Sequence, residues 1–172
     1  MRTPWIAGIV GIGLLGLSWN ATAEQRPSLD HVAAVYRTPQ TIASFLREAF
    51  TFQRDEDLFN EVDRWQSPEE FLQRRAGDCE DYALLAKELL RRNGIEAYIF
   101  SLFGEEGYAH TVSVFVDEDG RYNVINQGKL RRYRANTLEA VAAQINPAWS
   151  VGMIAEQDGP RGRIVREIIH TF

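Results

Sequence analysis

The stretch that decides the fold is Ala76-Gly77-Asp78-Cys79-Glu80-Asp81-Tyr82-Ala83-Leu84-Leu85, continued by Ala86-Lys87-Glu88-Leu89-Leu90-Arg91-Arg92. Ala83, Leu84, Ala86, Leu89 and Leu90 recur at helical spacing and form an apolar stripe, so a helix is expected from about Cys79 to Arg92. Asn93-Gly94 supplies a left-handed stop. Gly77 ends an earlier helix and lets the chain turn sharply into this one. The cysteine therefore stands in the first turn, beside unpaired backbone N–H groups and the positive end of the helix dipole, which favour thiolate over thiol.

Upstream, Ser67-Pro68-Glu69-Glu70 carries a hydroxyl N-cap, proline in the first turn and glutamate three positions on, so a short helix is expected to about Arg75. From Ser28 to about Ala49 apolar and polar residues alternate at helical spacing, with Thr38-Pro39 a helix start and Ile42, Phe45, Leu46 and Ala49 on one face. Phe50 to Asp63, rich in acids, is expected to form a loop or a short irregular helix over the surface.

Downstream the hydrophobic period becomes that of strands. Ala97 to Phe103, Thr111 to Val116 and Tyr122 to Asn126 are the first three, with a hairpin turn at Asp117-Glu118-Asp119-Gly120. Lys129, Arg131, Arg132 and Arg134 are expected in a solvated loop. A helix from Thr137 to about Ile145 then precedes strands near Ser150 to Glu156 and Gly162 to Ile169. Helices followed by an antiparallel sheet make an α+β domain.

Before Glu24 the chain has a different character. Arg2, an apolar run from Trp5 to Leu17 and the small-x-small sequence Ala21-Thr22-Ala23 read as a secretory signal at residues 1–23. An uncleaved anchor is the alternative, but the run falls short of the roughly 20 residues of a span, so no stable membrane span is expected after cleavage. Residues 24–172 then form one domain, an expected size for the 172-residue chain, which is 45% hydrophobic and 25% charged. Arg2 is the only charge in the signal, so its removal takes the formal charge from -5 to -6. That sign argues against nonspecific binding to nucleic acid or to an anionic membrane face.

An exported chain with a single cysteine has no internal disulfide. Cys79 is then a buried hydrophobe, an intermolecular partner or a reactive thiol, and its neighbours Asp78, Glu80 and Asp81 make poor company for a core position. A nucleophile needs a proton carrier. His110 opens a strand expected beside the cysteine helix, whereas His31 lies in the helical lead-in and His170 near the terminus. Asn126, on the neighbouring strand, can accept the other imidazole N–H and fix the ring's tautomer, although asparagine also simply ends strands. Three scattered histidines and one cysteine show no zinc spacing.

Gly77-Asp78-Cys79-Glu80-Asp81-Tyr82-Ala83 resembles the signature of bacterial transglutaminase-like cysteine proteinases, and Trp65-Gln66-Ser67-Pro68-Glu69-Glu70-Phe71 looks like that family's lead-in to the nucleophile. The likeness covers about Phe45 to Leu130. It implies a papain-like, transglutaminase-like α+β core and a periplasmic or secreted bacterial protein. It further implies a Cys-His-Asp triad that cleaves or transfers acyl groups of a polypeptide substrate. Asn126 stands where the family usually has aspartate, which turns the expected triad into Cys79, His110 and Asn126.

Other roles follow from the same resemblance. Trp65 covers the reaction site or packs in the core, and Gln66 or Gln73 is a candidate oxyanion donor beside the Cys79 backbone N–H. No cofactor is required; some relatives bind calcium through acids flanking the cysteine, here Asp78 and Glu80 with Asp81 beside them. Three neighbouring carboxylates do not make a calcium cage on their own, and acids at a helix start also cap it. The expected activity is that of an exported cysteine peptidase. The rivals are a noncatalytic envelope domain that binds a peptide or protein partner, and a protein-glutamine acyltransferase.

Overall fold

The computed structural model describes residues 27–169. The expected signal at residues 1–23 and His170 lie outside them. The helical patterning expected from Ser28 to about Ala49 resolves into two helices, α1 (Leu29–Val35) and α2 (Pro39–Ala49), the second opened by a reciprocal Thr38–Thr41 capping box. The acid-rich segment after them is not wholly loop: β1 (Thr51–Phe52) leads into α3 (Asp55–Phe59). Phe59 is held between two guanidinium groups, with Arg64 4.3 Å and Arg74 4.8 Å from its ring centre, which ties this segment down on the following helix.

That helix, α4 (Pro68–Arg74), has the expected capping box between Ser67 and Glu70. Its end departs from expectation. Arg75, in the left-handed region at φ 61°, caps it, and Ala76–Gly77 then form β2, paired in parallel with β1. Gly77 thus breaks nothing; it is extended chain in a crowded place. A Cβ there would lie 2.1 Å from Asp81 Oδ2 and 2.6 Å from Gln66 Nε2. The glycine is needed for close approach rather than for a turn.

α5 (Cys79–Arg92) follows as the central helix. Its Leu85, Leu89 and Leu90 are buried with Phe50, Phe71 and Tyr82 against α1, α2 and α4. Truncating one such leucine to alanine costs about 2–5 kcal/mol. Ala83 and Leu84 face the sheet at Ile99 and Ala155.

Six strands form one antiparallel sheet: β3 (Ala97–Gly104), β4 (Ala109–Val116), β5 (Tyr122–Asn126), β6 (Lys129–Ala135), β7 (Trp149–Asp158) and β8 (Arg161–Ile169), in the order β6-β5-β4-β3-β7-β8. The Lys129–Arg134 cluster is therefore not a loop but edge strand β6; charged side chains are a common guard on such an edge. Both faces of the sheet are covered. Phe115 packs toward α5, whereas Val112, Val114 and Val124 pack with Leu138, Val141 and Ala142 of α6 (Leu138–Ile145). The architecture is the expected α+β one, with helices packed on an antiparallel sheet and a cysteine at a helix N-terminus. Among the described residues, no helix is long and apolar enough to cross a membrane.

Candidate active site

Two elements carry the site. The first is the end of the β4–β5 pair. Val114 pairs with Val124, so residues two steps along each strand, Val112 and Asn126, share a face, and His110 lies two further along β4. Across this register His110 Nε2 stands 3.0 Å from Asn126 Oδ1. An amide oxygen only accepts, so Nε2 carries the hydrogen and Nδ1 is left with its lone pair. Burial lowers the His110 pKa below the ordinary 6.5, and the Asn126 hydrogen bond opposes that shift. The ring is therefore a neutral base at pH 7. Tyr108 packs edge-on to it, ring centres 6.4 Å apart.

The second element is the start of α5, where Cys79 is the first helical residue and half-buried. The Thr111 backbone amide, one residue beyond His110 on β4, reaches the sulfur, and Tyr108 lies within its electrostatic range. Through its Thr111 amide, strand β4 thus runs past the thiol. Its protonation state differs from the sequence reading. Burial, followed by the charge of Glu80 and a hydrogen bond to it, pushes the Cys79 pKa well up; the Thr111 amide only partly offsets this. The sulfur is a neutral thiol donating to Glu80 Oε2 at 3.1 Å. The helix terminus does not outweigh burial and a carboxylate one residue away.

The acids around the sulfur are themselves unusual. Asp81 is 0% exposed and Glu80 6%. Asp81 accepts from Gln66 N (2.8 Å), Gln66 Nε2 (2.6 Å) and Asp78 N (3.2 Å), yet burial still pushes its pKa to about 7. Burial, together with the hydrogen bond to Glu80 and its charge, raises Asp78 to about 9. Glu80 is raised too, again by burial.

Two further acids join them that the sequence reading left in a surface segment, Asp55 and Asp63. Ligand oxygens of Asp55, Asp63 and Glu80 lie within 4.8 Å of one another, as do those of Asp55, Asp78 and Asp81. Asp55 is 1% exposed. Its Oδ2 accepts the Arg64 amide, while Asp55 Oδ1 and Asp78 Oδ1 are buried without a hydrogen-bond partner among the described residues. Converging carboxylates with orphaned oxygens are the donor set a hard divalent cation takes. The residues present fit calcium, with Asp55 and Asp63 extending the Asp78–Glu80 pair.

The lead-in residues hold this turn together. Both amide hydrogens of Gln66 are committed, one to Asp81 Oδ2 and one to Ala76 O at 3.0 Å, and its Oε1 accepts from Arg74. The side chain has no free N–H to offer an oxyanion. Trp65 is 7% exposed and packs with Ala83, Leu84, Ile99 and Ala155, the core alternative of its two sequence readings. The only signal for Asp55 and Asp63 in the sequence was an acid run, and nothing in its spacing pointed at Glu80.

Comparison with known proteins agrees with this architecture. A family described as transglutaminase-like domain matches residues 28–146. Calcium-bound LapG of Legionella pneumophila is 19% identical, with a TM-score of 0.50 over 77% of this chain and 77% of that chain. EGTA-treated LapG is 20% identical, with a TM-score of 0.48, covering 70% of this chain; the chain spans 62% of that protein's length. A protein of Cytophaga hutchinsonii described as a candidate cysteine protease is 14% identical, with a TM-score of 0.48, covering 83% of this chain and 49% of its own. No curated protein matches the sequence.

Proposed function

The chain belongs to the transglutaminase-like family, and from that premise we propose that it is an exported thiol hydrolase, a cysteine peptidase acting through Cys79, His110 and Asn126. The carrying observation is the 3.0 Å His110–Asn126 contact, on the strand whose next residue, Thr111, reaches the Cys79 sulfur.

In this reading His110 Nδ1 takes the proton from the Cys79 thiol as sulfur attacks a peptide carbonyl carbon, making a C–S bond and a tetrahedral oxyanion. The Cys79 backbone N–H, in the first turn of α5 and without an intrahelical acceptor, is placed to donate to that oxyanion. Collapse breaks the C–N bond; His110 returns the proton to the leaving amine, and a thioester remains. Water then adds to the thioester, losing its proton to His110, and the carboxylic acid leaves as the thiol re-forms. Asn126 accepts from Nε2 throughout, which keeps Nδ1 the working nitrogen and steadies the imidazolium. In this reading Gln66 acts by tying Ala76 O to Asp81 beneath the start of α5, and Trp65 by packing against Ala83 and Leu84 of that helix.

Asp55, Asp63, Asp78 and Glu80 would hold a calcium ion. When bound it would supply positive charge beside Glu80, whose charge and hydrogen bond add to burial in holding the thiol protonated. A chain of this family with calcium available in the bacterial envelope is the setting we infer, with an extended polypeptide as substrate.

One observation favours a second reading. A resting thiol pushed well up by burial and by Glu80 suits a noncatalytic domain that binds a peptide or partner in the same place. Incubation with a diverse peptide library, with and without added calcium, separates the two. Cleavage products from the wild type and none from Cys79→Ala support the hydrolase; a wild type that binds peptides and cleaves none in either condition supports the binding domain. Products bearing an added amine in place of hydrolysis would assign acyl transfer.

A further inference from the structure

The β7–β8 hairpin, residues 149–169, lies beyond the family match. Its root pairs with β3 from Ile99↔Ala155 to Gly104↔Trp149, but the tip from Glu156 to Arg163 overhangs that ladder. What holds the overhang is Trp65. The Trp65 amide donates to Pro160 O at 2.9 Å, and Gln157 Nε2 donates to Trp65 O at 3.3 Å. The indole ring lies so close to Gly162 that a Cβ there would fall 2.4 Å from it. The N–H of the same indole reaches the acids: Trp65 Nε1 donates to Asp63 Oδ1 at 3.0 Å.

We propose that the hairpin tip is the supporting layer of the cation site and that Trp65 is its positioning residue, aiming Asp63 at Asp55 and Glu80. The inference rests on the calcium reading above. That reading has its own footing in the orphaned Asp55 Oδ1, in a carboxylate buried to 1% exposure. Asp63 is exposed and would otherwise swing freely; a fixed N–H donor on one oxygen sets the orientation of the carboxylate, of which one oxygen lies within 4.8 Å of those of Asp55 and Glu80. Groups that orient a ligand in this way typically change metal affinity by about 10–100-fold when removed. The coupling is reciprocal: if the hairpin favours the cation, the cation favours the docked hairpin.

Calcium titration of the full chain by calorimetry, with tryptophan emission recorded in parallel, tests this. Trp65→Phe keeps a ring but removes the donor, Gly162→Val wedges the hairpin off the ring, Gln157→Ala loses the bond to Trp65 O together with one to Gly159 O within the tip, and Trp149→Phe is the control. The wild type and Trp149→Phe should bind calcium with an emission change. Trp65→Phe and Gly162→Val should bind about tenfold or more weakly, Gln157→Ala about two- to tenfold, and Trp65→Phe should lose the emission change. Melting temperatures without calcium separate this from general destabilisation; should the first two variants melt early, Gln157→Ala decides. A wild type that binds calcium alongside variants of equal affinity overturns the positioning role alone. A wild type that binds none overturns the cation site and this inference together.

Discussion

The two halves of the site are in opposite states. The strand half is finished: His110 is neutral, its tautomer set by Asn126 and its environment closed by Tyr108. The helix half is unfinished, since Cys79 donates its proton to a buried carboxylate and sits among acids held above their ordinary range. Hydrogen bonding through the backbone register can complete a base without any ion. A nucleophile packed against carboxylates needs its charge balance altered before it can ionise. The difference teaches that geometry and electrostatics are supplied separately here, the first by the fold and the second by whatever meets the acids.

The largest expected effect breaks the helix half outright. Cys79→Ala should lower peptide cleavage by about 10⁴-fold or more, with little change in melting temperature because the side chain is half-buried. His110→Ala removes the base and should cost about 10²–10⁴-fold in kcat/KM. Asn126→Ala leaves the ring but frees its tautomer. Losing a hydrogen bond that tightens on the imidazolium is worth about 1.5–3 kcal/mol, roughly ten- to a hundredfold in kcat; a wild-type rate would mean the strand half is not catalytic.

A fourth prediction tests what supports the helix half. Gly77→Ala places a methyl on Asp81 and Gln66, and overpacking of this kind costs about 1–3 kcal/mol, seen as a lower melting temperature; an unchanged one would contradict the close-approach account. The smallest effect is a displaced pH limb. The proposed mechanism requires neutral His110 and burial lowers its pKa, so the acid limb of kcat/KM should lie below 6.5, and a limb above that value would place the ring in a different environment.

Most of the fold was readable because its signals were local. The capping box at Ser67, the α5 stripe and the period-two strands each depend on neighbours a few residues apart, and each formed where expected. The β6 edge was misread because Lys129-Leu130-Arg131-Arg132 has no apolar alternation, its strand state coming from pairing with β5 across Gln127-Gly128. Of the candidate site, Cys79, His110 and Asn126 are proposed from residue type, order and family resemblance, and the structure pairs His110 with Asn126. The acids Asp55 and Asp63 could not be named in this way, because they reach Glu80 only through the folding of α3 and the loop after it, a contact 17 or more residues distant in sequence. The thiol's protonation was missed for the same reason. A helix dipole is visible in a sequence, but the burial of Glu80 is not.

The claim that His110 acts on Cys79 is tested most directly by the rate of Cys79 alkylation with iodoacetamide as a function of pH, in the wild type and in His110→Ala, with calcium present. If the ring serves the sulfur, the wild type should react at least about tenfold faster near pH 7 and show an acid inflection that the variant lacks. Superimposable profiles, each with one inflection at or above the free-thiol value of about 8.5, would show that the imidazole and the sulfur do not share a proton.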